Sequence, residues 1–401
     1  MNQPTTERIL SIDIMRGLTI FTMIFVNDLA GVQHIPAWLK HAPPTADTMT
    51  FVDLVFPAFL FIVGMAIPFA IQKRSQQGQT DIQIWKHILI RTLGLLVLGV
   101  FMVNMESLHG PALAIPPAWW TLLLFIAAIL VWNQYSRNSQ RHQIIQIVFR
   151  GIGFVILILL AIIYRGGEGD QVHWLRTSWW GILGLIGWAY LTCCATYFLF
   201  RKNLAAMIGM LALLIALYIG DKTGRLDFLT PISNYLWLGG HIGGHSAITL
   251  TGVIVGTLFL DDSPTATPVS RIRWIGALAV MLFLGGYLLR SLYGISKNNA
   301  TPTWCLYSAA ICCLIFILLY WIVDLRQWKK WARFLQPAGE NPLLAYILPD
   351  IFYSLLSIMA IKFYAQQLGS GLPGILRSLG LALLILWITN QLTKRKIKLH
   401  L

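Results

Sequence analysis

About twelve stretches of some 20 mostly apolar residues recur along the chain, each long enough to cross the roughly 30 Å hydrocarbon core of a bilayer as one helix. They run over 9–31, 51–71, 87–105, 115–132, 147–164, 179–200, 204–220, 245–260, 274–292, 303–323, 343–361 and 372–391. In hydrocarbon each backbone N–H and C=O must be satisfied within its own segment, so runs of this kind form helices. The sequence therefore predicts an all-α, polytopic transmembrane helical bundle of about 12 helices (10–12), with 115–132 and 204–220 the shortest. No loop is long enough for a second fold and no tandem repeat is visible, so the expectation is a single transmembrane domain over 1–401. Composition agrees: 57% of residues are hydrophobic and 11% charged, against about a quarter charged in soluble domains.

The net charge of +14 would point to nucleic acid in a soluble protein. Here the bases sit in short loops between apolar runs. Placing the N-terminus inside puts about two thirds of the Lys and Arg residues on one side, among them Arg8, Lys73, Arg74, Arg137, Arg201, Lys202, Lys329 and Lys330. The bias predicts both termini on the cytoplasmic side and a lipid bilayer, not nucleic acid, as the partner of those charges. All five cysteines lie inside apolar runs, where a thiol acts as a small hydrophobe, so neither a disulfide nor a metal site is expected. The first apolar run lacks a small-residue cleavage site and is expected to remain as a signal anchor.

The first 70 residues carry most of the chemistry. Asp13 and Arg16 stand three apart on the first helix, share a face and can neutralise each other; a structural ion pair and a cofactor-contacting role are both open. Asn27 and Asp28 end that helix, a polar connector with His34, Lys40 and His41 follows, and Asp53 opens the second helix. A histidine and a carboxylate meeting at the mouth of a bundle supply what a general base needs, because the carboxylate fixes the tautomer. The alternatives are a solvated loop histidine and a first-turn carboxylate favoured by the helix dipole. Farther on, the glycine-rich stretch around His241 and His245 permits close approach to a ligand, with sugar contact or helix capping as its reading and metal binding disfavoured for want of an acidic ligand. Lys297, Asn298 and Asn299 offer cationic and amide groups suited to a sugar or a diphosphate.

The segments SIDIMRGLTIFTMIFVN, WLKHA and TFVDLVFPAFLFIVGMAI together resemble the heparan-α-glucosaminide N-acetyltransferase family. ISKNNATPTWCLYSA and AGENPLLAYILPDI are similar to later segments of that family, which brings in Asn341 beside Lys297 and Asn298 as substrate-binding candidates with His245. The resemblance implies that His41 is the catalytic residue, with Asn27 orienting the thioester carbonyl and Asp53 holding the imidazole. Pro43 and Pro44 depart from the family's Trp-containing stretch, and no luminal domain precedes the membrane core, which favours a bacterial inner-membrane protein.

What the resemblance implies is acetyl transfer across the membrane. Acetyl-CoA, as co-substrate, would enter from the cytoplasm, with Asp13 and Arg16 as candidate contacts and Lys73, Arg74 or Arg271 as phosphate partners. The acceptor would be a glucosamine-type amino sugar at the outer face, and His41 either its base or an acetyl carrier. The rival reading is a transporter of N-acetylated amino sugars, N-acetylglucosamine or N-acetylmuramic acid. A scaffold without ligand explains the intramembrane charges poorly. A homodimer is left open.

Overall fold

In a computed structural model, which describes residues 9–135, 140–201, 203–260, 265 and 267–400, each of the twelve apolar stretches coincides with a helix. These are α1 (Leu10–Leu29), α2 (Val55–Gln76), α3 (Asp81–Met105), α4 (Pro117–Trp132), α5 (Gln140–Ile163) and α6 (Ile182–Phe200), followed by α7 (Leu204–Lys222), α8 (His245–Thr257), α9 (Pro268–Tyr293), α10 (Pro302–Leu319), α11 (Pro342–Ile358) and α12 (Gly371–Lys394). Arg8, Arg137 and Lys202, used in the charge count, lie outside the described residues.

Among the described residues, nine helices are long and apolar enough to cross a membrane, or ten if a pair bent by 79° at Asn341 is one span. The chain is thus a polytopic helical membrane protein. The difference from twelve has a local cause. Helix α4 has only 16 residues, about 24 Å at 1.5 Å per residue. Helix α8 has 13 residues but continues directly from a π-helical stretch, Leu238–Gly244. The bent pair arises because Pro342 begins α11 right after Asn341, whose backbone (φ −138°, ψ 59°) is not helical.

The residues group into two compact units. The first comprises Met1–Thr19, Pro36–Leu93 and Leu185–Arg333. Its centre is the pairing of α2 with α8, against which α10 also packs. The pairing is as close as backbones allow: a Cβ on Gly64 would fall 1.9 Å from the Thr249 carbonyl oxygen, one on Gly252 1.9 Å from that of Phe61, and one on Gly256 2.6 Å from that of Met65. Gly252 and Gly256 form the G-x-x-x-G spacing that lets membrane helices touch along their main chains. Leu60, Phe61, Met65, Ile248 and Val253 fill the seam and are almost fully buried. At the start of α1 the Asp324 carboxylate accepts the backbone N–H groups of Leu10 (2.9 Å) and Ser11 (3.1 Å), satisfying donors that a helix leaves unpaired.

The second unit comprises Ile20–Ile35, Gly94–Gly184 and Phe334–Leu401. Here α4 and α5 form an antiparallel hairpin, α11 packs on α4, and α12 packs on α11. Trp120 and Tyr164 are wholly buried, yet each polar tip is satisfied: the Trp120 indole donates to the Leu160 carbonyl (3.1 Å) and the Tyr164 hydroxyl to that of Asn104 (3.0 Å).

Candidate functional site

The connector between α1 and α2 folds through a short 3₁₀ turn, Ala37–Leu39, that buries Leu39 and leaves Lys40 extended. A second 3₁₀ turn, Val52–Leu54, leads into α2 and carries Asp53. The Asp53 side chain is 2% exposed, and a carboxylate so buried must find donors. It finds them in this connector. Oδ2 accepts the backbone N–H groups of Ala42 (3.1 Å) and Thr50 (3.0 Å), while Oδ1 lies 2.7 Å from Nδ1 of His41. The Thr50 hydroxyl stands between the Lys40 carbonyl (2.7 Å) and Oδ2 (3.2 Å), with one proton to give to either.

This arrangement sets the chemistry of the imidazole. With Nδ1–H donating to Asp53, the lone pair is on Nε2 of a ring whose side chain is 47% exposed. Sequence reasoning reached the pair, and the structure joins its members directly.

Lys297 joins them from the loop between α9 and α10. Its Nζ lies 3.3 Å from both ring nitrogens of His41. The lone-pair directions of the two nitrogens diverge, so an ammonium can donate to one at most, and Nδ1 is already a donor to Asp53. Lys297 therefore acts on Nε2 or as a positive charge beside the ring. Burial pulls the Lys297 amine below the ordinary lysine range, and the Asp53 carboxylate acts more weakly in the opposite direction.

What brings Lys297 there is Asp47, which sequence reasoning missed. Its Oδ1 accepts the backbone N–H of Ile295 (2.7 Å) and its Oδ2 the Nε–H of Arg290 (3.1 Å), while the Ser296 hydroxyl reaches the Pro44 carbonyl (3.4 Å). The His41 connector is thereby latched to the turn that carries Lys297. Asn298 lies in the same turn and is exposed.

His245 sits deeper in this unit, 5% exposed. Its Nδ1–H donates to the Gly240 carbonyl (2.8 Å), and its ring meets those of Phe56 (5.6 Å), Trp304 (6.1 Å) and His241 (6.3 Å). Phe56 stands three residues after Asp53, in the first turn of α2. Asp13 and Arg16 pair with each other at 3.4 Å, each about a quarter exposed.

Two further candidates belong to the second unit. Asn27 is exposed in the last turn of α1. Asn341 is fully buried, and its amide holds the C-terminal segment: Nδ2 donates to the Thr393 hydroxyl (3.0 Å) and the Ile397 carbonyl (2.8 Å), and Oδ1 accepts from Leu399 N–H (3.1 Å). Among the described residues no group of three or more His, Cys, Asp or Glu side chains is arranged to hold a metal ion.

Comparison with known proteins gives two kinds of match. A family model described as "Domain of unknown function (DUF5009)" matches residues 8–238, more than half of the chain. Among curated proteins, the chain is 32% identical over 107 residues to heparan-alpha-glucosaminide N-acetyltransferase of Mus musculus, covering 27% of this chain and 16% of that protein. It is 33% identical over 104 residues to the protein of the same name from Homo sapiens, covering 26% and 15%. The chain thus spans about a sixth of the length of the curated relatives it matches.

Proposed function

This chain belongs to the DUF5009 family, and we propose that it is a membrane acetyltransferase that moves acetyl from cytoplasmic acetyl-CoA to the amine of a glucosamine-type sugar at the outer face. The observation that carries the reading is the 2.7 Å contact between Nδ1 of His41 and the buried Asp53 carboxylate, which leaves the lone pair of a half-exposed imidazole on Nε2. The likeness to two N-acetyltransferases supplies the reaction class.

A thioester is already activated, so the residues have two tasks: to free the amine lone pair and to stabilise the carbonyl oxygen as it gains charge. Nε2 of His41 takes a proton from the acceptor nitrogen as the N–C bond forms and the C–S bond breaks. The imidazolium then returns that proton to the departing thiolate, so acetamide and thiol are the products and the ring ends neutral. Asp53 stabilises the imidazolium while it lasts. Lys297, 3.3 Å from the ring, is a donor for developing negative charge. His245 and Asn298 are assigned contacts to the sugar.

The test is direct. Purified protein in detergent is incubated with radiolabelled acetyl-CoA and glucosamine, with His41→Ala alongside. Acetylated sugar from the wild type that disappears in the variant supports the reading. No product from the wild type, together with counterflow of labelled N-acetylglucosamine into liposomes, replaces it with transport.

A further inference from the structure

The turn between α2 and α3 carries a positive charge that topology does not explain. Arg74, in the last turn of α2, and Lys86, in the second turn of α3, stand on the flank where the positive-inside rule places cations. Arg91 does not. It lies ten residues beyond the start of α3, about 15 Å along the helix axis, within the apolar stretch 87–105. Its Nε is buried with no hydrogen-bond acceptor, and its guanidinium lies 4.7 Å from the Tyr190 ring centroid. The face of a ring attracts a cation without neutralising it. Among the described residues no carboxylate lies within ion-pair distance of Arg74, Lys86 or Arg91. A charge at membrane depth normally meets an opposite charge, so a counter-ion from outside the chain is called for.

A place for one lies beside these cations. A cavity of about 310 Å³ is lined by Gln79, Gln83, Lys86, His87 and Ile90, a volume at the lower end of small-molecule sites. Arg74 reaches its wall by donating from Nη1 to Oε1 of Gln79 (3.3 Å). Gln83, His87 and Arg91 follow one another at four-residue spacing, so Arg91 continues the polar face of the cavity one turn deeper. The charges of Arg74 and Lys86 both act on the His87 ring, and those of Arg91 and Arg74 both act on Tyr190. The flank of the cavity is apolar: Ile82, Leu89, Ile90 and Leu93 of α3 are all more than half exposed, as lipid-facing side chains are.

Guanidinium and ammonium groups gathered without an acid suit a phosphate. A soluble phosphate compound would use the cations alone, whereas a phospholipid would also lay its chains on the apolar flank. We infer that the cavity at the α2–α3 turn binds the headgroup phosphate of an anionic phospholipid, with Arg74 and Lys86 at its rim, Arg91 as the deeper counter-charge and the acyl chains along Ile82, Leu89 and Leu93. Basic pockets between membrane helices on the cytoplasmic side serve this purpose in general. The site lies within the first unit and does not depend on acetyl transfer.

The full-length protein in detergent is given phosphatidylglycerol or phosphatidylcholine; retained lipid is counted by native mass spectrometry and the thermal midpoint is recorded. Phosphatidylglycerol should be retained in preference to phosphatidylcholine and should raise Tm by about 2 °C or more, because it binds the folded state. Arg74→Gln, Lys86→Gln and Arg91→Gln should each lower its affinity by about fivefold, the worth of one cation beside an anionic lipid. Arg273→Gln, at an exposed position elsewhere in the same unit, should leave the affinity unchanged. Equal retention of the two lipids by wild type, or an equal loss in Arg273→Gln, overturns the inference.

Without added lipid, Arg91→Gln should be at least as stable as wild type, since it removes an uncompensated charge. Lys86 is exposed, so Lys86→Gln keeps the test decisive if Arg91→Gln fails to fold. Coenzyme A and inorganic phosphate serve as competitors and should leave phosphatidylglycerol bound. Displacement by either, with the same dependence on Arg91, would give the site to a soluble phosphate and overturn the lipid assignment.

Discussion

At the scale of single residues the chemistry reduces to one imidazole and two charges. If His41 is the base, His41→Ala should lower kcat/KM for acetyl transfer by about a hundred- to ten-thousandfold, the usual worth of a positioned general base. Asp53→Asn keeps the shape of the site but offers an amide where Nδ1–H met a carboxylate, so the ring can adopt the wrong tautomer. A loss on the order of a thousandfold or more in kcat is expected, with KM little changed, as in other His–carboxylate pairs. Lys297 makes a pH-dependent prediction. Its amine is depressed below the ordinary lysine range by burial, so its positive charge is lost as pH rises through a value lower than a solvated lysine would show. If the charge assists transfer, kcat should fall on the alkaline side through that value. Lys297→Arg should move this limb to higher pH, and Lys297→Met should remove it while lowering the plateau. An alkaline limb identical in all three proteins would show that Lys297 plays no charged role. The sequence offers His41 and Asp53 as a possible pair at the mouth of the bundle, but the connector with two prolines between them gives no periodicity to argue from, so their contact was not legible. Lys297 was visible as a polar group at the mouth, but its distance to the ring was not.

At the scale of elements the hidden information is the latch. Asp47 and Arg290 are 243 residues apart, and no local pattern announces that they meet. Both are about half exposed, so as an isolated surface pair they would contribute little to stability. Their effect should instead appear in catalysis: Asp47→Ala frees the turn at Ile295 and lets Lys297 drift. It should reproduce most of the Lys297→Met defect and add little in a Lys297→Met background, whereas independent losses would dismiss the latch. The helices themselves were legible because hydrocarbon leaves a backbone no alternative, which is why all twelve stretches fall on helices. What misled was continuity. The arm Lys330–Glu340 is too charged to read as part of a span, yet it forms a bent pair with α11, and the seven residues before His245 look like a glycine-rich loop yet form a π-helix. The G-x-x-x-G face of α8 is also a packing device that apolar runs alone do not display. Gly252→Leu drives a side chain into the Phe61 carbonyl and should destabilise the first unit by about 1–3 kcal/mol or more, the cost of overpacking. A thermal midpoint equal to that of wild type would mean that α2 and α8 do not touch there.

For the molecule as a whole the proposal needs a bilayer between donor and acceptor, and that can be tested. Helix α2 has 22 residues and is about 33 Å long at 1.5 Å per residue, enough to cross a hydrocarbon core of about 30 Å. Asp53 stands at its beginning and the basic turn with Lys73 and Arg74 at its end, so the base and the positive loop are on opposite faces. By the positive-inside rule that loop is expected in the cytoplasm. The five native cysteines are all buried, so wild type should be silent toward an impermeant maleimide. Against that background Gln77→Cys and Asn298→Cys, both at exposed positions of the first unit, each report one face. In right-side-out vesicles Asn298→Cys should react at once and Gln77→Cys only after the membrane is opened; inverted vesicles should give the reverse. Labelling of both from one side would place the His41 loop on the same face as the acetyl donor. The enzyme would then have no membrane to carry acetyl across, and the chemistry of the His41 pair would have to serve an acceptor on the cytoplasmic side.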